Sequence, residues 1–207
     1  MFFPGRGLLC TCMLLLAASV PVPQAAAQDS SANFSYTYLD VSYRNWDTLD
    51  GSFRIDGHER EGVFAISDNL HIVAGYSTLE RHPSFGGVHM EADSVSYGLG
   101  YNHRLKERWD AYARASYIES RTHAAGNTLD RDYGHELSAG IRFNAHELVE
   151  VTAEVGNTDM GESDDTFVGI GAIYYIDEAV GVRMSLSYHD TNFEDFEAVS
   201  IGARFLL

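Results

Sequence analysis

The sequence lacks long apolar runs and has few cysteines and few positive charges. Its two cysteines, Cys10 and Cys12, lie in an N-terminal apolar segment. The remaining chain therefore needs neither a disulfide nor a Cys-ligated metal. Beyond that segment no uncharged run exceeds 11 residues, for example Thr166 to Ile176, and a membrane-spanning helix needs about 20. The net charge of −16 argues against nucleic acid as a partner.

The N-terminal segment has the pattern of a secretory signal peptide. Arg6 precedes an apolar run from Leu8 to Val20, and Ala25-Ala26-Ala27 offers a small-residue cleavage site before Gln28. A retained membrane anchor is the weaker alternative, because the run is short and no stop-transfer charges follow it. We predict a signal peptide at 1–27 and one exported domain at 28–207.

Alternating segments of strand length recur along the exported domain. A transmembrane β-strand needs only about 9 to 11 residues. The hairpin at 93–120 shows the pattern twice, with apolar positions at Val95, Tyr97, Leu99, Tyr101, Ala111, Ala113, Ala115 and Tyr117. Its other face carries Gly, Ser and Arg, which would make a poor soluble core. We therefore predict that the apolar face meets lipid and the polar face lines a lumen.

Ten such segments predict an all-β fold, an antiparallel transmembrane up-and-down β-barrel of ten strands, with eight strands as the alternative. The predicted connections alternate between short turns and long polar loops, as in bacterial outer-membrane barrels. The long loops are expected at 44–56, 81–92, 120–131, 157–165 and 190–195. The first strand leaves two possibilities open. Phe34, Tyr36 and Tyr38 alternate on the opposite parity to Leu39, Val41 and Tyr43, so either a bulge re-aims the strand or the three rings lie inside the barrel near its mouth.

Charge indicates which face is the lumen, because an arginine facing lipid at mid-bilayer costs about 2–4 kcal/mol. We expect outward charges only at strand ends. The predicted lumen charge network comprises Asp40, Glu61, Arg114, Glu136, Arg142, Glu150, Glu154, Arg183 and Arg204. A ten-stranded barrel is only slightly wider than the eight-stranded barrels that side chains can fill. We therefore expect ion pairs to close the lumen, with a narrow conducting path as the alternative.

Outward aromatic residues form two predicted girdles, which anchor such barrels at both membrane interfaces. The loop-side girdle comprises Tyr43, Tyr76, Tyr97, Tyr117, Tyr133 and Tyr188. The turn-side girdle comprises Phe64, Tyr101, Trp109, Phe143, Tyr174 and Phe205.

No metal or cofactor is expected. The loop carboxylates match no spaced calcium motif, and the rim histidines have neither a helical His pair nor a Cys partner. The carboxylates are Asp47, Asp50, Asp56, Asp159, Glu162, Asp164, Asp165, Asp190, Glu194 and Asp195. The histidines are His58, His82, His89 and His123.

One segment suggests catalysis. His189 and Asp190 could act as a base and its orienter, with Ser187 or Thr191 nearby. Adjacent strand residues point to opposite faces, however, so we expect His189 and Asp190 to diverge. We predict a non-enzymatic protein.

The chain resembles the small outer-membrane β-barrel family first described as an activator of rice immunity, and more broadly the opacity-type, porin-like barrels. The resemblance rests on residues 70–77 (LHIVAGYS) and 97–103 (YGLGYNH), and it continues through the Ala113-Arg114 strand and residues 167–172. It implies an outer-membrane location and a role at the cell surface, and it transfers no catalytic residue. The chain ends Phe205-Leu206-Leu207, whereas such barrels usually end on an aromatic residue read by the assembly machinery.

Together these features predict an outer-membrane barrel that displays acidic loops and contributes to surface interactions or envelope integrity. A small channel is the alternative, and a barrel enzyme the third possibility. The expected partners are outer-membrane lipid, lipopolysaccharide and the assembly machinery, with host or surface ligands reached through the loops. We expect a monomer.

Overall fold

The computed structural model describes residues 34–48, 53–83, 89–124, 127–161, 163–192 and 195–207. Within them lie ten β-strands. Their bounds are β1 (Tyr38–Thr48), β2 (Phe53–Ala65), β3 (Leu70–Pro83), β4 (Met90–Lys106), β5 (Trp109–Ala124), β6 (Asn127–His146), β7 (Val149–Met160), β8 (Ser163–Tyr175), β9 (Val180–Thr191) and β10 (Asp195–Leu206). The predicted signal peptide at 1–27 lies outside the described residues.

The strands form one closed antiparallel barrel. Each pairs with its neighbour in sequence, and β1 also pairs with β10, from Tyr38 opposite Leu206 to Thr48 opposite Phe196. Closure pairs the backbone groups of both chain-terminal strands, which a membrane demands because lipid offers no hydrogen-bond partners. The prediction of a ten-stranded all-β barrel is confirmed, and the eight-stranded alternative is excluded.

No part of the described chain forms a helix of the length and apolar character needed to cross a membrane.

The strands extend well beyond the predicted loop boundaries. β5 runs to Ala124 and β6 begins at Asn127, so most of the loop expected at 120–131 is paired strand. The other four long connections are shortened in the same way. The prediction was wrong there because it ended each strand where apolar alternation ended, whereas backbone pairing continues above the membrane without an apolar face. The short turns lie where expected, as at 66–69, where the Ile66 N–H donates to Leu70 O at 2.8 Å.

The residues around the start of β1 decide between the two possibilities for the first strand. Phe34, Tyr36 and Tyr38 are 7%, 6% and 2% exposed and share the inward face with Asp40. The register of β1 with both neighbours is unbroken. The three rings therefore lie inside the barrel, and no bulge re-aims β1.

The outer face is apolar and exposed, as at Leu137, Leu99 and Ile170. Some of the predicted girdle residues contact one another along it. On the turn side the Trp109 and Phe143 rings stack at 4.3 Å, and on the loop side the Tyr97 and Tyr117 rings lie 5.4 Å apart. Their anchoring role stays a prediction.

One outward charge departs from the expectation that such charges occur only at strand ends. Arg60 lies within β2, exposed, and pairs in register with Val41 and Tyr76. Tyr76 belongs to the predicted loop-side girdle, so the long arginine side chain can extend toward headgroups while its methylenes cover apolar surface.

Substituting Ile170 by arginine tests the lipid-facing assignment. Ile170 lies on the outer face between its register partners Ala153 and Leu186. We expect Ile170→Arg to lower the free energy of unfolding in lipid vesicles by about 2–4 kcal/mol. The measurement is a urea titration in which the folded fraction is read from the migration of unboiled samples on a gel. The matched control is Leu129→Arg in the loop-side part of β6, which should have little effect. Equal stability of both variants would contradict the assignment.

Candidate functional site

The turn-side half of the lumen is filled by aromatic and apolar side chains. Residues 34–37, which precede β1 and are called the N-terminal plug below, place Phe34 and Tyr36 against Tyr38, Val63 and Val73. The plug is fixed at this end of the barrel, since its Thr37 O accepts from the Leu207 N–H at 3.2 Å and its Thr37 Oγ1 from the Ala65 N–H at 3.2 Å. The plug thus occupies the mouth on the side of the short turns.

A connected network of charges lies directly beside the N-terminal plug. Asp40 accepts two hydrogen bonds from Arg204, both 2.8 Å, and one from Arg183 Nη1 at 2.8 Å. Glu150 binds Arg142 through both oxygens, at 2.8 Å each. Arg204 Nη1 also reaches Glu150 at 3.5 Å, so Arg204 bridges the two carboxylates. Five of the nine predicted network residues therefore form one cluster.

The plug and the charges also contact each other through the aromatic faces. The Arg142 guanidinium lies 4.9 Å from the Phe34 ring centroid and 4.6 Å from that of Tyr36, and its Nη1 donates to Ser35 O at 2.9 Å. The Arg204 guanidinium lies 3.7 Å from the Tyr38 centroid. Desolvated cation–π contacts of this kind contribute about 2 kcal/mol each. The rings therefore partly replace the water that these cations lose.

The remaining predicted residues lie in a second group. Arg114 Nη1 donates to both oxygens of Glu61 at 3.3 Å, and its Nη2 donates to the Tyr38 hydroxyl at 2.8 Å. Tyr38 thus connects the two groups. Glu136 accepts a long hydrogen bond from Thr158 Oγ1 at 3.5 Å, and Glu154 is half-buried on the adjacent strand. The structure does not bring these last two carboxylates into the main cluster.

The predicted charge network omitted several of its members, although Tyr38 had been considered as an inward-facing ring. The hydroxyls of Tyr38 and Tyr175 complete the network, Tyr175 donating to Glu150 at 3.0 Å. Asp110 is also buried, and its Oδ1 lies 3.6 Å from Arg104 Nε. Their positions on the inward face follow from alternation, which was the available signal. Which side chains meet across the barrel depends on the register and could not be found by alternation alone.

The loop-side half of the lumen holds His189, buried at 5% exposure. Asp190 is exposed, so the two side chains diverge as expected. The imidazole instead has two other partners, Asp165 Oδ2 at 2.8 Å from Nδ1 and Ser187 Oγ at 3.0 Å from Nε2. The sequence interpretation had assigned Asp165 to a loop, whereas it belongs to β8 and faces inward.

The described rim histidines lie apart from one another, whereas some rim carboxylates are cross-strand neighbours, Asp159 of Asp164 and Asp190 of Asp195. His58 packs against Tyr43 at 5.5 Å between centroids, His89 has Glu80 and Glu91 within 4 Å, and His123 lies 3.6 Å from Asp93. Asp50, Glu162, Glu194 and the His82 side chain lie outside what the structure describes. Among the described residues no three His, Cys, Asp or Glu side chains converge on a possible metal position.

A closed barrel with an apolar outer face and buried ion pairs inside is a transmembrane β-barrel of the outer-membrane class. Residues 10–168 match the family described as "Outer membrane protein beta-barrel domain". This match covers more than half of the chain, which therefore belongs to that family and is located in the outer membrane. No curated protein matches the sequence.

Solved structures share the fold at very low identity. A structure described as the NanC porin is 9% identical, with a TM-score of 0.51 over 81% of this chain and 100% of the other. An outer-membrane channel from Pseudomonas putida F1 is 12% identical, with a TM-score of 0.50 over 87% and 98%. The translocator domain of autotransporter NalP from Neisseria meningitidis is 9% identical, with a TM-score of 0.50 over 98% of both chains. At these identities the likeness shows the fold alone.

Neutralising Asp40 tests the charge network. Asp40→Asn leaves Arg204 buried without a full counter-charge, and we expect a loss of roughly 3–5 kcal/mol in the free energy of unfolding, measured by denaturant titration in detergent micelles. The control is Glu178→Gln, which removes the same charge from an exposed turn and should change little.

A second variant distinguishes lost charge balance from lost packing. Asp40→Asn combined with Arg204→Met removes both charges and should recover much of the lost stability. No recovery would mean that packing around Asp40, and not charge balance, causes the loss.

Proposed function

We propose that this protein is a non-enzymatic outer-membrane barrel with a closed lumen, which displays an acidic surface outside the cell and contributes to surface interactions or envelope integrity. The observation that carries the proposal is the N-terminal plug held by Arg142 within the ion-paired network. A lumen that is blocked by the chain's own N-terminal residues and crossed by salt bridges stabilises the barrel. The function is then carried out by the surfaces outside the lumen.

The loop-side surface supports this proposal. β4, β5 and β6 have 17, 16 and 20 residues, against 12 for β7 and β9. At about 3.3 Å per residue, their added length extends this part of the sheet well past the apolar belt. Exposed carboxylates lie along the loop side at Asp47, Asp130, Asp132, Asp159, Asp164 and Asp190. Such a surface favours cationic or metal-bridged partners over polyanions.

The proposal includes the finer assignments made from the sequence. The chain is exported through a cleaved signal peptide at 1–27, is inserted by the assembly machinery, contacts lipid and lipopolysaccharide, and remains a monomer. Its closer relatives are the barrels first described as activators of rice immunity. The resemblance of residues 70–77 and 97–103 supports that placement.

A second candidate function is a narrow channel. The lumen beside the main ion-paired cluster is less tightly occupied, with Glu61, Glu136 and Glu154 all half-buried. Removal of the N-terminal plug would join this polar space to the periplasm. The porin and channel described above share the fold, which is compatible with either function.

Conductance separates the two candidates. We expect the purified protein to give no unitary current in a planar bilayer, and the double variant Phe34→Ala/Tyr36→Ala to conduct, because these rings fill the turn-side mouth. Phe205→Ala, on the outer face near the same mouth, is the control and should stay silent. A reproducible current from the unaltered protein would overturn the closed lumen and favour the channel.

Cysteine labelling tests export and orientation. The domain at 28–207 has no cysteine, so introduced thiols give a clean signal. We expect Leu129→Cys to react with a membrane-impermeant maleimide on intact cells, and Glu178→Cys to react only after permeabilisation. The intact mass of the purified protein should match a chain that begins at Gln28. Labelling of Glu178→Cys alone on intact cells would reverse the proposed orientation.

A further inference from the structure

Three inward side chains near the loop-side mouth form a hydrogen-bonded chain that the proposed function does not use. Ser187 and His189 are alternate residues of β9 and share its lumen face, with Ser187 Oγ 3.0 Å from His189 Nε2. Asp165 on β8 lies on the other side of the imidazole, with its Oδ2 2.8 Å from Nδ1. Both distances lie within the range of a nucleophile, its base and the base's orienter.

Proton positions follow from the partners. A carboxylate can only accept a hydrogen bond, so Asp165 requires the proton on His189 Nδ1. In the neutral ring Nε2 then carries a lone pair, and the Ser187 hydroxyl must donate to it. Asp165 thus holds the tautomer in which the imidazole can take the serine proton.

The aromatic walls of this site hold the imidazole in place. The Trp46 ring stacks on it at 4.6 Å and the Phe167 ring lies at 5.6 Å, both between centroids. Phe196 packs in turn against Trp46 at 5.9 Å. A buried imidazole that stacks against two aromatic rings keeps its two hydrogen bonds aligned, as general base catalysis requires.

A donor without a partner lies in the same wall. Trp46 Nε1 is buried and has no hydrogen-bond acceptor among the described residues. Such an orphaned N–H is costly to bury, and a rotation of the indole would be needed to offer it to the oxygen of a bound carbonyl group. In register Trp46 faces Ala198, and Ala198 faces Ser187, so Trp46 and Ser187 lie on the same stretch of lumen wall, two strands or about 10 Å apart.

The opposite side of the serine is also uncrowded. Its register partner on β8 is Gly169. A Cβ at residue 169 would lie 3.3 Å from the Ser187 Cβ. The glycine therefore leaves the serine free on that side, and Ser187 is half-buried whereas His189 is buried.

We propose that Ser187 is an activated nucleophile that accepts the acyl group of a small, uncharged or cationic carboxylic ester entering from the loop side. Ser187 Oγ forms a bond to the carbonyl carbon while His189 Nε2 takes the hydroxyl proton. The carbon–oxygen bond to the leaving group then breaks, and His189 returns the proton to the departing alcohol. Acyl-Ser187 remains, and water can hydrolyse it by the same proton transfers.

The substrate class follows from the surroundings. The acidic loop side repels anionic esters, and the lumen width excludes bulky ones. This inference goes beyond the proposed surface role, which uses none of the three side chains. It departs from the non-enzymatic part of the proposed function, which a Ser187 acyl adduct would overturn, whereas the closed turn-side lumen and the surface role are tested separately from it.

Acetylation by 4-nitrophenyl acetate tests the inference on the folded mature barrel in detergent. We expect release of nitrophenolate with a single acetyl adduct, mapped to Ser187 by peptide mass spectrometry. Lysine acetylation can occur only at Lys106, the sequence's only lysine, and peptide mapping separates it from any transient histidine or tyrosine adduct. Ser187→Ala should lose the adduct. Ser185→Ala, whose hydroxyl pairs with Ser200 at 2.6 Å and not with His189, is the matched control and should keep it.

Asp165 is a positioning residue and needs its own test. We expect Asp165→Asn to lower the acetylation rate by roughly 10³- to 10⁴-fold, because the amide stabilises the wrong tautomer. Asp165→Glu should recover part of the rate. Each variant is checked for heat-modifiable gel migration, so that misfolding is recognised. Absence of the Ser187 adduct from folded wild-type protein, or equal rates in Asp165→Asn, would overturn the proposal.

Discussion

The contact between Arg204 and Asp40 joins the last strand of the barrel to the first. The two residues are direct register partners across the β1–β10 seam and are bound by two 2.8 Å hydrogen bonds. Arg204 also reaches Glu150 on β7, so the seam is connected to the opposite wall. Neither charge could face lipid, and neither could be buried alone. The orientation of the neighbouring strands depends on this requirement, because a one-residue slip would turn every inward charge outward.

The N-terminal plug belongs to the same solution. Burying four guanidinium groups in a narrow lumen removes much of their water. The carboxylates accept hydrogen bonds from only some of the N–H groups of each guanidinium. Phe34, Tyr36 and Tyr38 supply ring faces, and Ser35 supplies a carbonyl oxygen. The aromatic inward face at the start of β1, which looks anomalous for a polar lumen, is therefore complementary to the arginines. Without the plug, the arginines would lose some of their hydrogen-bond and cation–π partners. Without the arginines, the plug would lose the contacts that hold it in the lumen.

Alternation and charge predict a large part of this structure. The strand number, the inward direction of Arg142 and the outward direction of Ile170 all follow from a period of two and from the cost of a charge in lipid. The strand ends do not, because β6 remains paired at Asn127, where no apolar face marks a strand. Of the Ser187–His189–Asp165 chain, the sequence suggested Ser187 beside His189 but not Asp165. The contact between Asp165 and His189 depends on the register between β8 and β9, which a single sequence does not specify.

The seam between β1 and β10 also has a consequence for the order of folding. The other nine strand pairs join neighbours in sequence and can form as hairpins, whereas Asp40 and Arg204 are separated by 164 residues. Contacts of such sequence separation form slowly, since the chain between them must be organised first. Until they form, β1 and β10 are two open edges with unpaired backbone groups. The barrel therefore completes its walls locally and becomes a cylinder only in its final step, when the two ends of the domain meet.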